Sequence, residues 1–162
     1  MTARMKVTFV DRGTAKRQIE AGAYVLNNLD LISISDTWSE AAQMRELWLD
    51  NKVDANAALF LKFQDIDDNS SGFTDKDAQR IVEFAQESYI KRKDIVVHCF
   101  AGISRSGAVA KFINEHWALG DVVLDTYAGH NHHVYYTLLE QAGVPTQRQY
   151  YAKLEEENGT DS

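Results

Sequence analysis

The stretch Asp94-Ile95-Val96-Val97-His98-Cys99-Phe100-Ala101-Gly102-Ile103-Ser104-Arg105-Ser106-Gly107 decides how the chain is read. Its first half is an apolar, β-branched run, the pattern of a buried strand. Its second half passes a glycine and turns helical, with Val109, Phe112, Ile113 and Trp117 on one face and Gly120 as a natural stop. A strand feeding a helix is the unit of an α/β layer fold. Ligands in such sheets bind beyond the carboxyl ends of the strands. Cys99 stands at that end, followed by five residues and Arg105.

Working outward, residues 7–10, 31–34 and 58–63 also read as strands. A short helix is expected over 14–22. Thr37 and Glu40 have capping-box spacing before a segment with Ala41, Met44 and Trp48 on one face. Thr74 opens a stronger helix whose apolar positions are Ala78, Ile81, Val82, Ala85 and Tyr89. A last helix begins near Asn131, turns Val134, Tyr135, Leu138 and Ala142 inward, and ends at Gly143 with Pro145 beyond. The expected fold is a single three-layer α/β domain, a mostly parallel sheet of four to five strands flanked by helices. It would occupy residues 1–154, with residues 155–162 as an acidic tail that frays.

The chain has 162 residues, a size at which one domain buries a core without staples. Its lone Cys99 excludes an internal disulfide and any multi-cysteine metal centre, and makes a reducing cytoplasm the default location. The formal net charge of -7 argues against a general nucleic-acid binder and against an electrostatic membrane anchor. No apolar run approaches a membrane span.

The segment from Cys99 to Ser106 carries chemistry. A loop between Cys99 and Arg105 can curl its backbone N–H groups toward one centre, a nest for an anion. The helix opening at Arg105–Ser106 adds its positive end. Gly102 permits a backbone that a Cβ would resist. Arg105 offers a planar fork matched to two phosphate oxygens. A thiol there is expected to fall below its usual value of about 8.5. Phe100, Ala101, Gly102, Ile103, Ser104 and Arg105 would form the phosphate-binding loop, which suits a phosphate or sulfate ion.

These residues resemble the signature of the cysteine-dependent protein phosphatase superfamily, His-Cys-x-x-Gly-x-x-Arg-Ser/Thr. Every signature position is filled by His98, Cys99, Gly102, Arg105 and Ser106. The compact dual-specificity and tyrosine phosphatases of bacteria and phages are the members it looks like. The resemblance implies that Cys99 is the nucleophile, that Ser106 donates to the departing thiolate and that His98 orients the loop. Leu61-Lys62-Phe63-Gln64-Asp65 matches the pattern that ends in the family's general acid, which makes Asp65 the acid by analogy. Asp68 and Asp67 are the alternatives, since a solvated acidic turn has the same composition. Larger tyrosine phosphatases carry Trp-Pro before this aspartate, where Phe63-Gln64 stands here. The implied substrate is a phosphotyrosine or phosphoserine/threonine protein or peptide. No cofactor and no metal are required.

Rival readings keep parts of this picture. An RNA 5′-triphosphatase or phosphoinositide phosphatase would share the fold, but the acidic balance and the lack of Lys from Phe100 to Ser104 weigh against both. A non-catalytic phosphate-binding module would need no acid. A rhodanese-like sulfur transferase would have a shorter loop. His130, His132 and His133 have poor spacing for a metal and read as a solvated helix start, with a role at the pocket rim as the alternative. Asn131 reads as a helix cap, and the resemblance implies a polar residue near here that approaches the loop. A calcium loop beginning at Asp67 fails at its twelfth position, Ala78. Trp38, Trp48 and Trp117 are read as core.

Overall fold

Each apolar run named above becomes a strand: β1 (Val7–Asp11), β2 (Leu29–Ser35), β3 (Ala58–Lys62) and β4 (Asp94–Cys99). The computed structural model describes residues 5–66, 68–118 and 129–143. Asp67, Gly120, Pro145 and the expected tail at 155–162 lie outside the described residues.

The four strands form one sheet in the order β1-β4-β2-β3, and every pairing is parallel. Strand alternation splits the core. Leu31 and Val96 point to one face, where they meet Ala15 and Ile19 of α1 (Arg12–Glu20), Tyr24 of α2 (Ala23–Leu26), and Met44 and Trp48 of α3 (Trp38–Asp50). Ile32, Ile34, Leu59, Leu61, Ile95 and Val97 point to the other. There they meet α4 (Asp75–Ile90), α5 (Ser104–Ile113) and α6 (His132–Gln141). Helices on both faces of a parallel sheet complete the expected three layers. Among the described residues, no helix is long and apolar enough to cross a membrane.

The helix starts follow their caps. Thr74 and Asp77 form a reciprocal capping box at α4. Thr37 caps α3 by accepting from the Glu40 N–H, but Glu40 turns its carboxylate to the Asp36 N–H. Asn131 caps α6 by accepting from the Val134 N–H, and Gly143 follows that helix at φ 76°. Helix α5 ends in a π-helical turn, Asn114–Ala118.

Two expectations need correction. Tyr89 is 45% exposed, and Ser88 takes its inward place because the Ser88 hydroxyl donates to the buried Asp30 carboxylate at 2.6 Å. Trp38 is 66% exposed and is not core, since it stands on the first turn of α3 beside the sheet edge. Helix α2 carries no strong sequence signal; it is held by Tyr24, whose ring meets Trp48 edge-on.

Candidate active site

The carboxyl ends of the strands gather the residues singled out from sequence. Strand β4 ends at Cys99, and α5 begins at Ser104. Ile103 at the helix cap offers no side-chain hydrogen bond, so the first N–H groups of α5 are left without a side-chain acceptor. Anions stabilise such a terminus. Gly102 sits at φ 71°, and a Cβ there would lie 2.4 Å from the Asp11 nitrogen. The loop thus passes against the end of β1, and the Arg12 N–H donates to the Phe100 carbonyl across that contact. The side chains of Phe100 and Ile103 point outward, 66% and 55% exposed, and Ala101 is exposed with them.

Cys99 is buried, with its Sγ 3.2 Å from the Ser106 hydroxyl and 3.3 Å from the Gly102 N–H, which donates to it. Both donors face the atom that would carry negative charge.

Arg105 is nearly buried and is oriented from the far side of the site. Its Nη1 donates to Asp36 Oδ1 at 2.6 Å and to the Phe63 carbonyl at 2.8 Å. Its Nε is buried without a hydrogen-bond partner among the described residues. A buried, unpaired guanidinium N–H is costly unless an acceptor comes to it. That donor beside the open helix terminus suits an anionic oxygen.

Asp65 reaches the loop. The Ser104 hydroxyl donates to Asp65 Oδ1 at 2.8 Å, and Asn131 Nδ2 donates to the same oxygen at 3.1 Å. Asn131 also holds the Ile66 carbonyl at 3.1 Å, while its own N–H donates to the Ser104 carbonyl at 2.9 Å. Through its side chain and its backbone N–H, Asn131 therefore joins the Asp65–Ile66 segment, the start of α5 and α6. Asp68 is occupied differently. It caps a short turn, accepting from the Ser70 N–H at 2.8 Å and from the Ser70 hydroxyl, which hold its carboxyl below the usual range.

His98 is fully buried. Its Nδ1 lies 3.3 Å from the Cys99 carbonyl, which can only accept, so Nδ1 carries the proton. Its Nε2 then accepts from the Ser33 hydroxyl at 2.6 Å. Burial pushes the imidazole down to about 4, so the ring is neutral.

Sequence reasoning missed Asp36, Ser33, Gln64, Arg12 and Glu40. Gln64 Nε2 donates to the Asp36 carbonyl at 2.5 Å, and Arg12 pairs with Glu40 at 3.4 Å. Asp36 had one available signal: it follows an apolar strand, at the end of the sheet where ligands bind. Among the described residues, no three His, Cys, Asp or Glu side chains gather as a metal site.

The same fold occurs in a solved phosphatase. The crystal structure of Cydia pomonella PTP-2 phosphatase superposes with a TM-score of 0.53 at 14% identity, covering 91% of this chain and 82% of that one. The two share a fold. Tk-PTP in its active form aligns over 95% of this chain and 91% of its own, at 16% identity and a TM-score of 0.47. No protein-family model matches the chain, and no curated protein does.

Proposed function

We propose that this chain is a cysteine-dependent phosphatase that hydrolyses phosphotyrosine or phosphoserine/threonine on proteins. The observation that carries the reading is the meeting of three parts at one end of the sheet. They are Cys99 facing two donors, Arg105 with a buried unpaired Nε, and Asp65 tied to the loop through Ser104.

In this reading the Cys99 thiolate attacks phosphorus in line, forming an S–P bond as the P–O bond to the substrate breaks. Arg105 Nε and the first amides of α5 stabilise the equatorial oxygens. Asp65 gives its proton to the leaving oxygen. Water then attacks phosphorus, Asp65 takes a proton from it, and the S–P bond breaks. Phosphate leaves and the thiolate returns, with Ser106 donating to it.

The test is hydrolysis of p-nitrophenyl phosphate and of phosphotyrosine and phosphoserine peptides, with mass spectrometry of acid-quenched Asp65→Asn protein. A phosphate adduct on Cys99 and a loss of about 10³-fold or more in Cys99→Ser are expected. Turnover unchanged in Cys99→Ser would sink the mechanism. Phosphate binding with no turnover of any phosphomonoester would replace the enzyme by a binding module. Preferential hydrolysis of RNA 5′-triphosphate or phosphoinositides would move the substrate class.

A further inference from the structure

The catalytic residues leave the outer edge of the sheet unused. Strand β3 is last in the strand order and pairs, among the described residues, with β2 alone. The Phe63 N–H donates to the Ser35 carbonyl of β2 at 3.1 Å. Backbone groups alternate sides along a strand, so Leu59 and Leu61 also face β2. Ala58, Phe60 and Lys62 therefore turn their N–H and C=O groups to the open edge. Such an edge is a template for another strand unless it is covered or heavily charged. Here Lys62 is the one charged residue on the strand.

A groove of about 480 Å³ follows this edge, lined by Trp38, Arg45 and Leu49 from α3, by Phe60, and by Arg80 from α4. Helices α3 and α4 pack on opposite faces of the sheet, so the two arginines stand on opposite banks. A second hollow continues from Leu59 and Arg80 past Phe84 to Ile90, with Glu83 and Glu87 on its α4 wall, so the cationic stretch of the edge is the part between Arg45 and Arg80. Trp38 is 66% and Leu49 44% exposed. Neither Arg45 nor Arg80 is paired with a carboxylate among the described residues. In a chain with 24 acidic against 17 basic residues, two unpaired guanidiniums astride an apolar open edge define a site for opposite charge.

We propose that this edge docks an extended acidic segment of a partner protein, which adds to β3 as a further strand. Its backbone would pair with Ala58, Phe60 and Lys62, and an apolar side chain would rest on Trp38 and Phe60. Successive residues of a strand point to opposite faces. Acidic residues of opposite parity would therefore reach Arg45 on one bank and Arg80 on the other.

The test uses the full chain, ¹⁵N-labelled, with the blocked peptide acetyl-Glu-Glu-Val-Phe-Val-Glu-Glu-amide and its counterpart with Lys for every Glu. The acidic peptide is expected to slow amide exchange at Phe60 and Lys62 and to shift the Trp38 indole resonance, equally in wild type and Cys99→Ser. Joint Arg45→Glu and Arg80→Glu substitution is expected to weaken it by about tenfold or more and to reverse the preference between the peptides. If that variant does not fold, Arg45→Gln with Arg80→Gln should weaken the acidic peptide alone. Equal binding of both peptides, shifts confined to residues 99–105, or no change along β3 overturns the proposal. Peptide-free dimerisation in the ultracentrifuge with protected β3 amides overturns it too, by giving the edge to a second copy.

Discussion

Asp36 holds Arg105 at 2.6 Å, joining the end of β2 to the first turn of α5. The guanidinium side chain is 5% exposed and the carboxylate 35%, so the pair is half-open to solvent on its acidic side. The contact fixes Nη1, while Nε stays buried without a hydrogen-bond partner among the described residues. Asp36→Ala would leave Nη1 on the Phe63 carbonyl alone, inside an almost buried site. A stability loss of about 1 to 2 kcal/mol is expected, at the low end for buried pairs because Asp36 is partly hydrated. The kcat/KM for p-nitrophenyl phosphate should fall by about 10- to 100-fold. Asp36→Asn retains an oxygen acceptor and should recover part of the rate. Equal rates in all three proteins would show that Asp36 does not position Arg105.

Single substitutions separate Asp65 from Asp68 as candidates for the proposed acid. Asp65→Asn is expected to lower kcat for an aryl phosphate with a poor leaving group by about 10² to 10⁴-fold. Asp68→Asn should leave kcat near wild type, since its carboxylate is committed to the Ser70 turn. Asn131→Ala should fall between them, because it frees both Asp65 and the Ile66 carbonyl. A larger loss in Asp68→Asn than in Asp65→Asn would transfer the role.

Gly102 admits a sharp test of the loop's approach to β1. An added Cβ would lie 2.4 Å from the Asp11 nitrogen and 2.5 Å from the Val10 carbonyl carbon, both backbone atoms that cannot step aside. The residue also sits at φ 71°. Gly102→Ala is therefore expected to cost about 2 to 4 kcal/mol and to abolish turnover. Gly22 has a similar φ of 75° with nothing near its absent Cβ, so Gly22→Ala should cost about 1 kcal/mol and leave activity intact. Thermal melts of the two variants compare clash plus strain with strain alone.

Legibility in the sequence followed the range of each signal. The strands and α4 were readable because period-2 and period-3.6 burial are local properties, and Leu31 against Ile32 already encodes the two faces. Cys99 and Ser106 meet because their spacing within one strand–loop–helix unit brings them together. Asp65 reaches Ser104 across 39 positions, and nothing local in its acidic turn distinguishes it from Asp68 except what each carboxylate finally touches. Asp36 was passed over for the same reason: its place at a strand end was legible, but its partner lies 69 positions away. Trp38 was misread because helical spacing says which residues share a face, not whether that face overlooks an open sheet edge.

His98 makes acid stability a readout of the site's interior. The ring is neutral in the fold, donating from Nδ1 to the Cys99 carbonyl and accepting at Nε2 from Ser33. Its folded value is about 4, against about 6.5 when the chain is unfolded. As pH falls below about 6.5 the unfolded chain binds a proton that the native state refuses until about 4. The contribution of His98 is therefore fully present above the unfolded value and is lost as pH drops from about 6.5 to 4. The loss approaches about 1.4 kcal/mol per pH unit and reaches about 3 kcal/mol in all. The carboxylates held low by hydrogen bonds, Asp11 and Asp68, act at lower pH than this window. Urea unfolding at several pH values between 7 and 4.5 should show a steeper decline in wild type than in His98→Gln, which has no proton to take up. Parallel declines would mean that the imidazole is charged or hydrated in the native site, and the loop would lose its neutral anchor.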